Sequence, residues 1–226
     1  MKEIMVKKRN GAREPLDLDK LHKVVFYACN DIAGVSPSEV EIKSSIQFYN
    51  GITTDEIQET LIKAAADLIT EETPNYQWVA GRLINYHLRK QVYNAFEPDH
   101  LVKVIEDNIG RGYYDDVGME QFRGKYLVQN RVTGQIFETP QIAYMMIAAT
   151  LFGSYTVNRM KWVKDYYDAI SNFDISLPTP VMAGVRTNVR QFSSCVLIES
   201  DDSLDSINAT SNAIVKYVSQ KAGIGI

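Results

Sequence analysis

The segment QFSSCVLIE, residues 191–199, places a cysteine behind two serines at the start of a short apolar run. An apolar run of this length bounded by polar residues is typical of a buried β-strand. The upstream segment ISLPTPVM, residues 175–182, is also apolar, but its two prolines confine it to a strand end or a loop. Together they predict neighbouring strand ends that present hydroxyls, backbone amides and the Cys195 thiol to one small anionic ligand.

A long helix is predicted after these two segments, over residues 203–221. Asp202 is placed to cap its start and Gly223 to end it. Apolar residues recur at helical spacing and predict its buried side: Leu204, Ile207, Ile214, Val215 and Val218. Two strands followed by a long helix predict the opening of an α/β barrel.

A β-hairpin and four helices are predicted in the first 95 residues. Asn10-Gly11 favours a type I′ turn between strands at 4–9 and 12–16. The helices are predicted from about Asp19 to Gly34, from Pro37 to about Phe48, from Thr53 through Leu68, and from Thr73-Pro74 to near Asn94. Two capping boxes, Ser36 with Glu39 and Thr53 with Glu56, start the second and third helices.

Helices are also predicted at 140–152 and at 157–172, the latter capped by Thr156. Residues 99–122 predict a short helix and then a loose connection. The resulting fold class is α+β and mostly helical. It divides into a domain at 1–95, a helical connecting region at 96–172, and the start of a barrel at 173–226.

Composition and charge exclude several classes of function. The chain has 226 residues and a net charge of −4, which gives no overall basic surface for nucleic acid. Its longest apolar run, residues 142–152, is too short to span a membrane, and the first residues lack the apolar core of a secretory signal. The two cysteines form no disulfide framework, so we expect a reducing, cytoplasmic location. The three histidines form no metal-binding spacing.

Cationic residues around the hairpin could bind a phosphate. Lys7, Lys8 and Arg9 would converge with Lys20 and the Thr53-Thr54 helix start if the hairpin folds over the helix ends. From the residues alone, a solvated basic hairpin is the preferred alternative. From the residues alone, Cys195 is likewise preferably interpreted as a small hydrophobic residue buried in a strand. Cys29 is preferably interpreted as a residue that packs inside a helical domain.

These motifs resemble the large, catalytic subunit of class I ribonucleotide reductases. The resemblance is carried by SLPTPVMAGVRT (176–187), RQFSSCVLIE (190–199), DDSLDSINA (201–209) and VKYVSQKAGIGI (215–226). It extends to GKYLVQNRVTGQIFETPQ (124–141) and to the first ninety-odd residues, which resemble the ATP-cone of that subunit. The expected activity is therefore reduction of ribonucleoside diphosphates to deoxyribonucleoside diphosphates for DNA synthesis.

The resemblance implies specific ligand-binding residues. ATP or dATP would act as allosteric effector at the cone, on residues Lys8, Arg9, Glu14, Pro15, Leu16, Asp17, Leu18, Asp19, Lys20, Thr54 and Lys90. Thr179 and Ser194 would bind the substrate diphosphate and ribose, and Asp202, Ser203 and Leu204 the effector that selects the substrate. Two positions depart from the family, since Asp17 and Gln58 stand where some relatives have asparagine and histidine. An added carboxylate would oppose phosphate binding.

The resemblance also implies that Cys195 is one of two thiols that reduce the substrate and end as a disulfide. Its partner cysteine, the radical cysteine loop and the shuttle thiols would lie beyond Ile226, so we expect no reduction by this chain alone. The expected partners are a complementing C-terminal chain, a radical-generating small (beta) subunit that holds the metal centre, and thioredoxin or glutaredoxin.

Two interpretations of the early end of the sequence stay open, half of a split enzyme and a truncated product. A third possibility is a regulatory module that binds ATP or dATP and catalyses nothing. In that case the cone would act through protein contacts alone.

Overall fold

The computed structural model describes residues 4–93, 115–189, 191–220 and 222–225, which form two compact units. The first unit contains the described residues up to 123, and the second contains those from 124 onward. Both units are mostly helical with small sheets, as the sequence predicts. The connection expected at 99–122 falls outside the described residues up to position 114.

The N-terminal hairpin pairs β1 (Met5–Lys7) with β2 (Arg13–Pro15) in antiparallel register. Its turn is closed by the Gly11 N–H, which donates to the Lys8 carbonyl at 2.9 Å. Gly11 has a φ of 84°, whereas Asn10 is not among the residues with positive φ. The hairpin is confirmed, but the type I′ turn is wrong because it needs positive φ at both central residues. A three-residue loop that ends in a left-handed glycine forms instead.

Four helices complete most of the first unit: α1 (Leu18–Cys29), α2 (Pro37–Ser45), α3 (Thr54–Ala66) and α4 (Tyr76–Tyr93). The first helix ends five residues before Gly34, because Asn30 leaves the helical conformation with a ψ of 136° and Asp31 follows with a left-handed φ of 59°. The second ends at Ser45 rather than near Phe48, and isolated turns follow it.

The two predicted capping boxes have different outcomes. At α3 the box is confirmed, since Thr53 Oγ1 accepts from the Glu56 N–H at 3.1 Å and Glu56 accepts from the Thr53 N–H at 2.8 Å. At α2 it is wrong, because the Tyr76 hydroxyl intervenes. That hydroxyl accepts from the Ser36 N–H at 2.9 Å and donates to Glu39, which therefore does not reach back to the cap.

The core of the first unit lies where α3 and α4 pack together. Its fully buried members include Leu61 and Ala64 from α3 and Val79, Leu83 and Leu88 from α4. A short helix, α5 (Asp116–Gln121), packs on α4 through the fully buried Met119 and continues into a π-helical turn at Phe122–Tyr126.

Three helices begin the second unit: α6 (Pro140–Phe152), α7 (Arg159–Ser171) and α8 (Thr179–Gly184). The bounds of α6 are as predicted. Thr156 does not cap α7, because Asn158 precedes the helix with a left-handed φ of 54°. The strand end expected at 175–182 is wrong, since Thr179 starts α8. Pro180 fits there because a first-turn residue needs no N–H donor.

A β-α-β unit closes the described chain: β3 (Cys195–Leu197), α9 (Leu204–Ser219) and β4 (Gly223–Gly225). The strands pair in parallel, with Cys195 opposite Gly223. Gly223 therefore begins a strand and does not end the helix. Asp202 is not the cap either, since Ser203 Oγ accepts the Ser206 N–H at 3.2 Å.

The predicted burial of α9 and β3 is largely wrong for this chain. Four residues of the expected buried side of α9 are exposed: Leu204, Ile207, Val215 and Val218. Ile214 is half-buried and Thr210 is buried. In β3, Leu197 is 87% exposed and Cys195 is also exposed. Among the described residues, no helix has the length and apolar character to cross a bilayer.

Candidate nucleotide site and exposed thiol

The hairpin is fastened to the segment that leads into α3. The Lys7 N–H donates to the Ile52 carbonyl at 2.9 Å, and the Gly51 N–H donates to the Met5 carbonyl at 2.7 Å. Lys7 also forms an isolated parallel bridge with Thr53. These backbone bonds place the hairpin loop beside the first turn of α3.

Arg9 ties this loop to both long helices of the unit. Its Nε and one terminal nitrogen donate to Asp55 Oδ1 at 3.0 and 2.6 Å, in the first turn of α3. Its other terminal nitrogen donates to the Lys90 carbonyl at 3.1 Å, in the last turn of α4. The hairpin loop therefore lies next to the start of α3 and the end of α4. This is the arrangement on which the predicted phosphate site depends.

Two lysines of this surface are paired with carboxylates. Lys8 Nζ lies 2.7 Å from Glu14, and Lys20 Nζ lies 3.2 Å from Asp17 and 4.0 Å from Glu14. The Lys20 N–H and side chain donate to Asp17 and lower the pKa of this carboxyl, while the hydrogen bond to Asp17 raises the pKa of Lys20. All four side chains remain at least one-third exposed, so an anionic ligand can compete for the two lysines.

The remaining residues expected at the cone site lie around the same hairpin and helix ends. Pro15 ends β2, and the Leu16 N–H donates to the Ile4 carbonyl at 2.8 Å. Leu18 and Asp19 occupy the first turn of α1, and Thr54 is the first residue of α3. Lys90 Nζ lies 4.8 Å from the centre of the Tyr86 ring.

Both helices that start at this surface add a favourable field for an anion. The first turns of α1 and α3 carry the positive end of the helix dipole, and their caps are Asp17 and Thr53. Lys8, Arg9 and Lys20 stand beside them. Cations beside helix starts are a favourable arrangement for an anionic group such as a phosphate.

Two models of known domains match the chain. The ATP cone domain matches residues 4–91, and the all-alpha domain of ribonucleotide reductase matches residues 113–190. The chain carries an ATP cone and a ribonucleotide reductase all-alpha domain. The hairpin with α1–α4 is the cone, and α5–α8 lie in the all-alpha domain.

Several longer proteins are similar to this chain over nearly all of its length. The ribonucleoside-diphosphate reductase subunit alpha of Haemophilus influenzae is 51% identical over 254 residues, which cover 100% of this chain and 34% of the relative. The ribonucleoside-diphosphate reductase 1 subunit alpha of Escherichia coli K12 is 51% identical across 99% of this chain and 33% of its own length. The phage T4 subunit alpha is 41% identical across 100% and 34%. This chain spans about a third of the length of these relatives.

Sequence reasoning missed several charged residues of the cone. Asp55 holds Arg9, and Glu59 lies 2.8 Å from Arg123 and 3.5 Å from the buried His87. The position of Asp55 next to Thr54 in a helix start is a signal that could have identified it. The proximity of Glu59 to His87 and Arg123 depends on packing of α3 against α4 and on the turn that follows α5, which no local pattern predicts.

Asp17 and Gln58, the two positions expected to depart from the family, lie in different surroundings. Asp17 caps α1 and pairs with Lys20, so its carboxylate already contacts both the backbone N–H and the ammonium of Lys20. Gln58 Oε1 is buried and has no hydrogen-bond partner among the described residues.

The residues expected at the substrate and specificity sites lie in the second unit. Thr179 begins α8 and is half-buried, while Ser194 is exposed and its carbonyl accepts the Gly223 N–H at 2.8 Å. Asp202, Ser203 and Leu204 are exposed at the start of α9. The strand paired with Cys195 is β4, not the segment at 175–182. The expected pair of neighbouring strand ends is thus replaced by the β3–β4 pair.

The two thiols differ strongly in accessibility. Cys29 is buried in the cone, as expected for a packing residue, and burial raises its pKa to about 11. Cys195 is exposed at the start of β3.

Alkylation is expected to distinguish the two thiols. With iodoacetamide at pH 8, Cys195 should react at least ~100-fold faster than Cys29, because the thiolate is the nucleophile and Cys29 is both buried and protonated. Peptide mass mapping over time gives both rates. Equal rates in the folded chain would contradict the described packing of α1.

Proposed function

We propose that the cone binds ATP or dATP as an allosteric effector on the surface formed by the hairpin, α1, α3 and α4. The observation that carries this proposal is Arg9, which joins the hairpin loop to Asp55 and to the Lys90 carbonyl. A phosphate at this guanidinium would also reach Lys8 and the first turn of α3. The expected contacts therefore include Glu14 through Lys20, Thr54 and Lys90.

Replacing Lys8 with alanine tests this site. The loss of one charge-assisted contact to a phosphate is expected to cost about 1.5–3 kcal/mol, or roughly 10–100-fold in affinity for MgATP. Isothermal titration calorimetry with ATP and with dATP measures it. Lys161→Ala is the matched control, because Lys161 lies at the surface of α7, where it pairs with its helix neighbour Asp165 and contacts the Trp162 ring. Equal ATP affinity in the Lys8 variant and the control would place the nucleotide elsewhere.

We further propose that the chain is part of a ribonucleoside-diphosphate reductase large subunit. In this proposal Thr179 contacts the substrate diphosphate, Ser194 its ribose, and residues 202–204 the specificity effector. The β3–α9–β4 unit would begin the catalytic barrel. Parallel strands joined by a helix are the repeating element of such barrels, which supports this assignment.

Cys195 would supply half of the reducing equivalents. Two thiols give up two electrons and two protons, the 2′-hydroxyl leaves as water, a hydrogen takes its place, and the thiols become a disulfide. Cys29 cannot be the second thiol of such a pair, since it is buried in the helical core of the cone. The second thiol, the radical cysteine, the metal-bearing small subunit and thioredoxin or glutaredoxin would all come from outside these residues.

A regulatory module without catalysis is the second candidate. The observation that supports this candidate is that the helices of the cone bury a hydrophobic core of their own within the first unit. In a reconstituted reductase, loss of turnover in Cys195→Ser supports the enzyme, whereas an effect limited to Lys8→Ala supports the module. Both candidates act on soluble nucleotides, and the two free thiols fit the reducing cytoplasm.

A further inference from the structure

His87 is a buried imidazole placed between two carboxylates. It lies on α4 with 1% of its side chain exposed. Its Nδ1 is 4.0 Å from Asp55 Oδ1, and its Nε2 is 3.5 Å from Glu59 Oε1. Gln91 Nε2 lies 3.0 Å from the same Nε2. The buried Nδ1 has no hydrogen-bond partner among the described residues.

Each of these carboxylates is already held by an arginine. Asp55 accepts from Arg9 on the hairpin, and Glu59 accepts from Arg123 in the turn after α5. The charged groups that face His87 from the described elements are therefore two carboxylates of α3 and these two guanidinium groups. Burial lowers the pKa of His87 from its ordinary value of 6.5, so the ring is neutral at pH 7.

We propose that a nucleotide phosphate bound at Arg9 transfers Asp55 from Arg9 to His87, which then takes up a proton from solvent. This inference rests on the proposed nucleotide site. The phosphate competes with Asp55 for the same guanidinium and repels its carboxylate. Asp55 is about half exposed and free to rotate, and its Oδ1 needs to move only about 1 Å to reach hydrogen-bond distance of Nδ1.

The imidazolium is the form of His87 that can donate to both carboxylates, provided that the Gln91 amide turns its oxygen and not its nitrogen toward Nε2. Its Nδ1–H would donate to Asp55 and its Nε2–H to Glu59, and Asp55 without Arg9 would favour the charged ring. The neutral ring has only one N–H and can donate to only one of the two carboxylates, while its Nε2 accepts from the Gln91 amide. His87 thereby acts as a positioning residue, since it holds Asp55 away from the bound phosphate.

Proton uptake on binding is the measurable consequence. Calorimetric titrations of the 226-residue chain with MgATP at pH 7, in buffers of different ionisation enthalpy, give the number of protons exchanged. We expect His87→Gln to lower the uptake by on the order of half a proton relative to wild type. By linkage, wild-type affinity for ATP should rise about threefold for each unit that the pH falls near neutrality. The ionisation of ATP itself is common to all variants and cancels in the difference.

Two further variants make this test specific. Asp55→Asn keeps a side chain of the same shape beside Arg9 and should remove the same fraction of a proton. His22→Gln is the matched control, since His22 is 58% exposed and pairs with Glu41 on the neighbouring helix α2. Its proton uptake should equal that of wild type.

The outcomes separate this inference from the proposed function. Tight ATP binding with equal proton uptake in wild type and His87→Gln overturns the inference and leaves the nucleotide site intact. Absence of ATP binding in wild type overturns both. If His87→Gln does not fold, ¹⁵N NMR of the wild-type imidazole decides. A pKa of His87 that rises when ATP is added supports the inference, and one that stays unchanged overturns it.

Discussion

Cys195→Ser is expected to abolish ribonucleotide reduction in an assembled reductase, by about 1,000-fold or more, while ATP binding at the cone stays unchanged. The proposed reaction needs a thiol that can give up a hydrogen and form a disulfide, and a serine hydroxyl can do neither. Cys195 is exposed in the short strand β3, so the nearly isosteric serine leaves no buried group unsatisfied. Loss of turnover would therefore reflect chemistry and not unfolding.

The assay requires the parts that the chain itself does not supply. A complementing chain with the second thiol and a radical-generating small subunit are combined with this chain, and deoxyribonucleoside diphosphate is measured by chromatography. The matched control is Cys29→Ala, which removes the other thiol from the interior of the cone. It should retain turnover. Activity of Cys195→Ser at the wild-type level would reject the assigned role, as would turnover by this chain with the small subunit alone.

The local part of the fold could be predicted from sequence because its signals lie within a few residues of each other. The hairpin, the Thr53–Glu56 capping box and the bounds of α6 follow from such short-range patterns. The same short range explains the errors. Ser36 fails as part of a capping box because the hydroxyl of Tyr76, forty residues away, takes its N–H and binds Glu39.

The two prolines at 175–182 are the reason why a strand end is predicted there instead of a helix start. They exclude the interior of a strand or a helix, but a proline in a first helical turn loses no hydrogen bond. Thr179 and Pro180 occupy that turn of α8. Sequence alone cannot choose between a strand end and a helix start, because both tolerate a missing N–H.

Burial of α9 illustrates a different limit. Its apolar residues recur at helical spacing, yet Leu204 is 80% and Val215 68% exposed. Helical periodicity predicts that one face of a helix is suited to packing. It does not predict whether another element of the fold packs against that face. The cone site shows the converse, because α3–α4 packing brings His87 beside Asp55 and Glu59 without any motif that joins them.

Arg186→Met is expected to lower the free energy of unfolding of the second unit by about 3–5 kcal/mol. Arg186 and Glu138 form an ion pair whose side chains are only 3% and 8% exposed. Arg186 also donates to the Met182 carbonyl at 2.6 Å and to the Tyr126 carbonyl at 3.0 Å. Without Arg186, the Glu138 carboxylate stays buried without its counterion and the two carbonyls lose a donor.

Urea denaturation followed by tryptophan fluorescence measures this effect. Trp162 lies in the second unit and Trp78 in the first, so a Trp78→Phe background isolates the relevant signal. Lys161→Met is the control for a surface ion pair, with side chains 67% and 46% exposed, and should change the unfolding free energy by less than about 1 kcal/mol.

The double variant Arg186→Met with Glu138→Leu separates the charge from the packing. Removing both charges takes away the buried carboxylate, so part of the lost stability should return. Recovery cannot be complete, because the Val128 N–H, which donates to Glu138 at 2.7 Å, loses its acceptor. A double variant as unstable as Arg186→Met would assign the loss to the backbone groups around the pair. A stable Arg186→Met variant would show that the carboxylate finds water or another cation, contrary to its described burial.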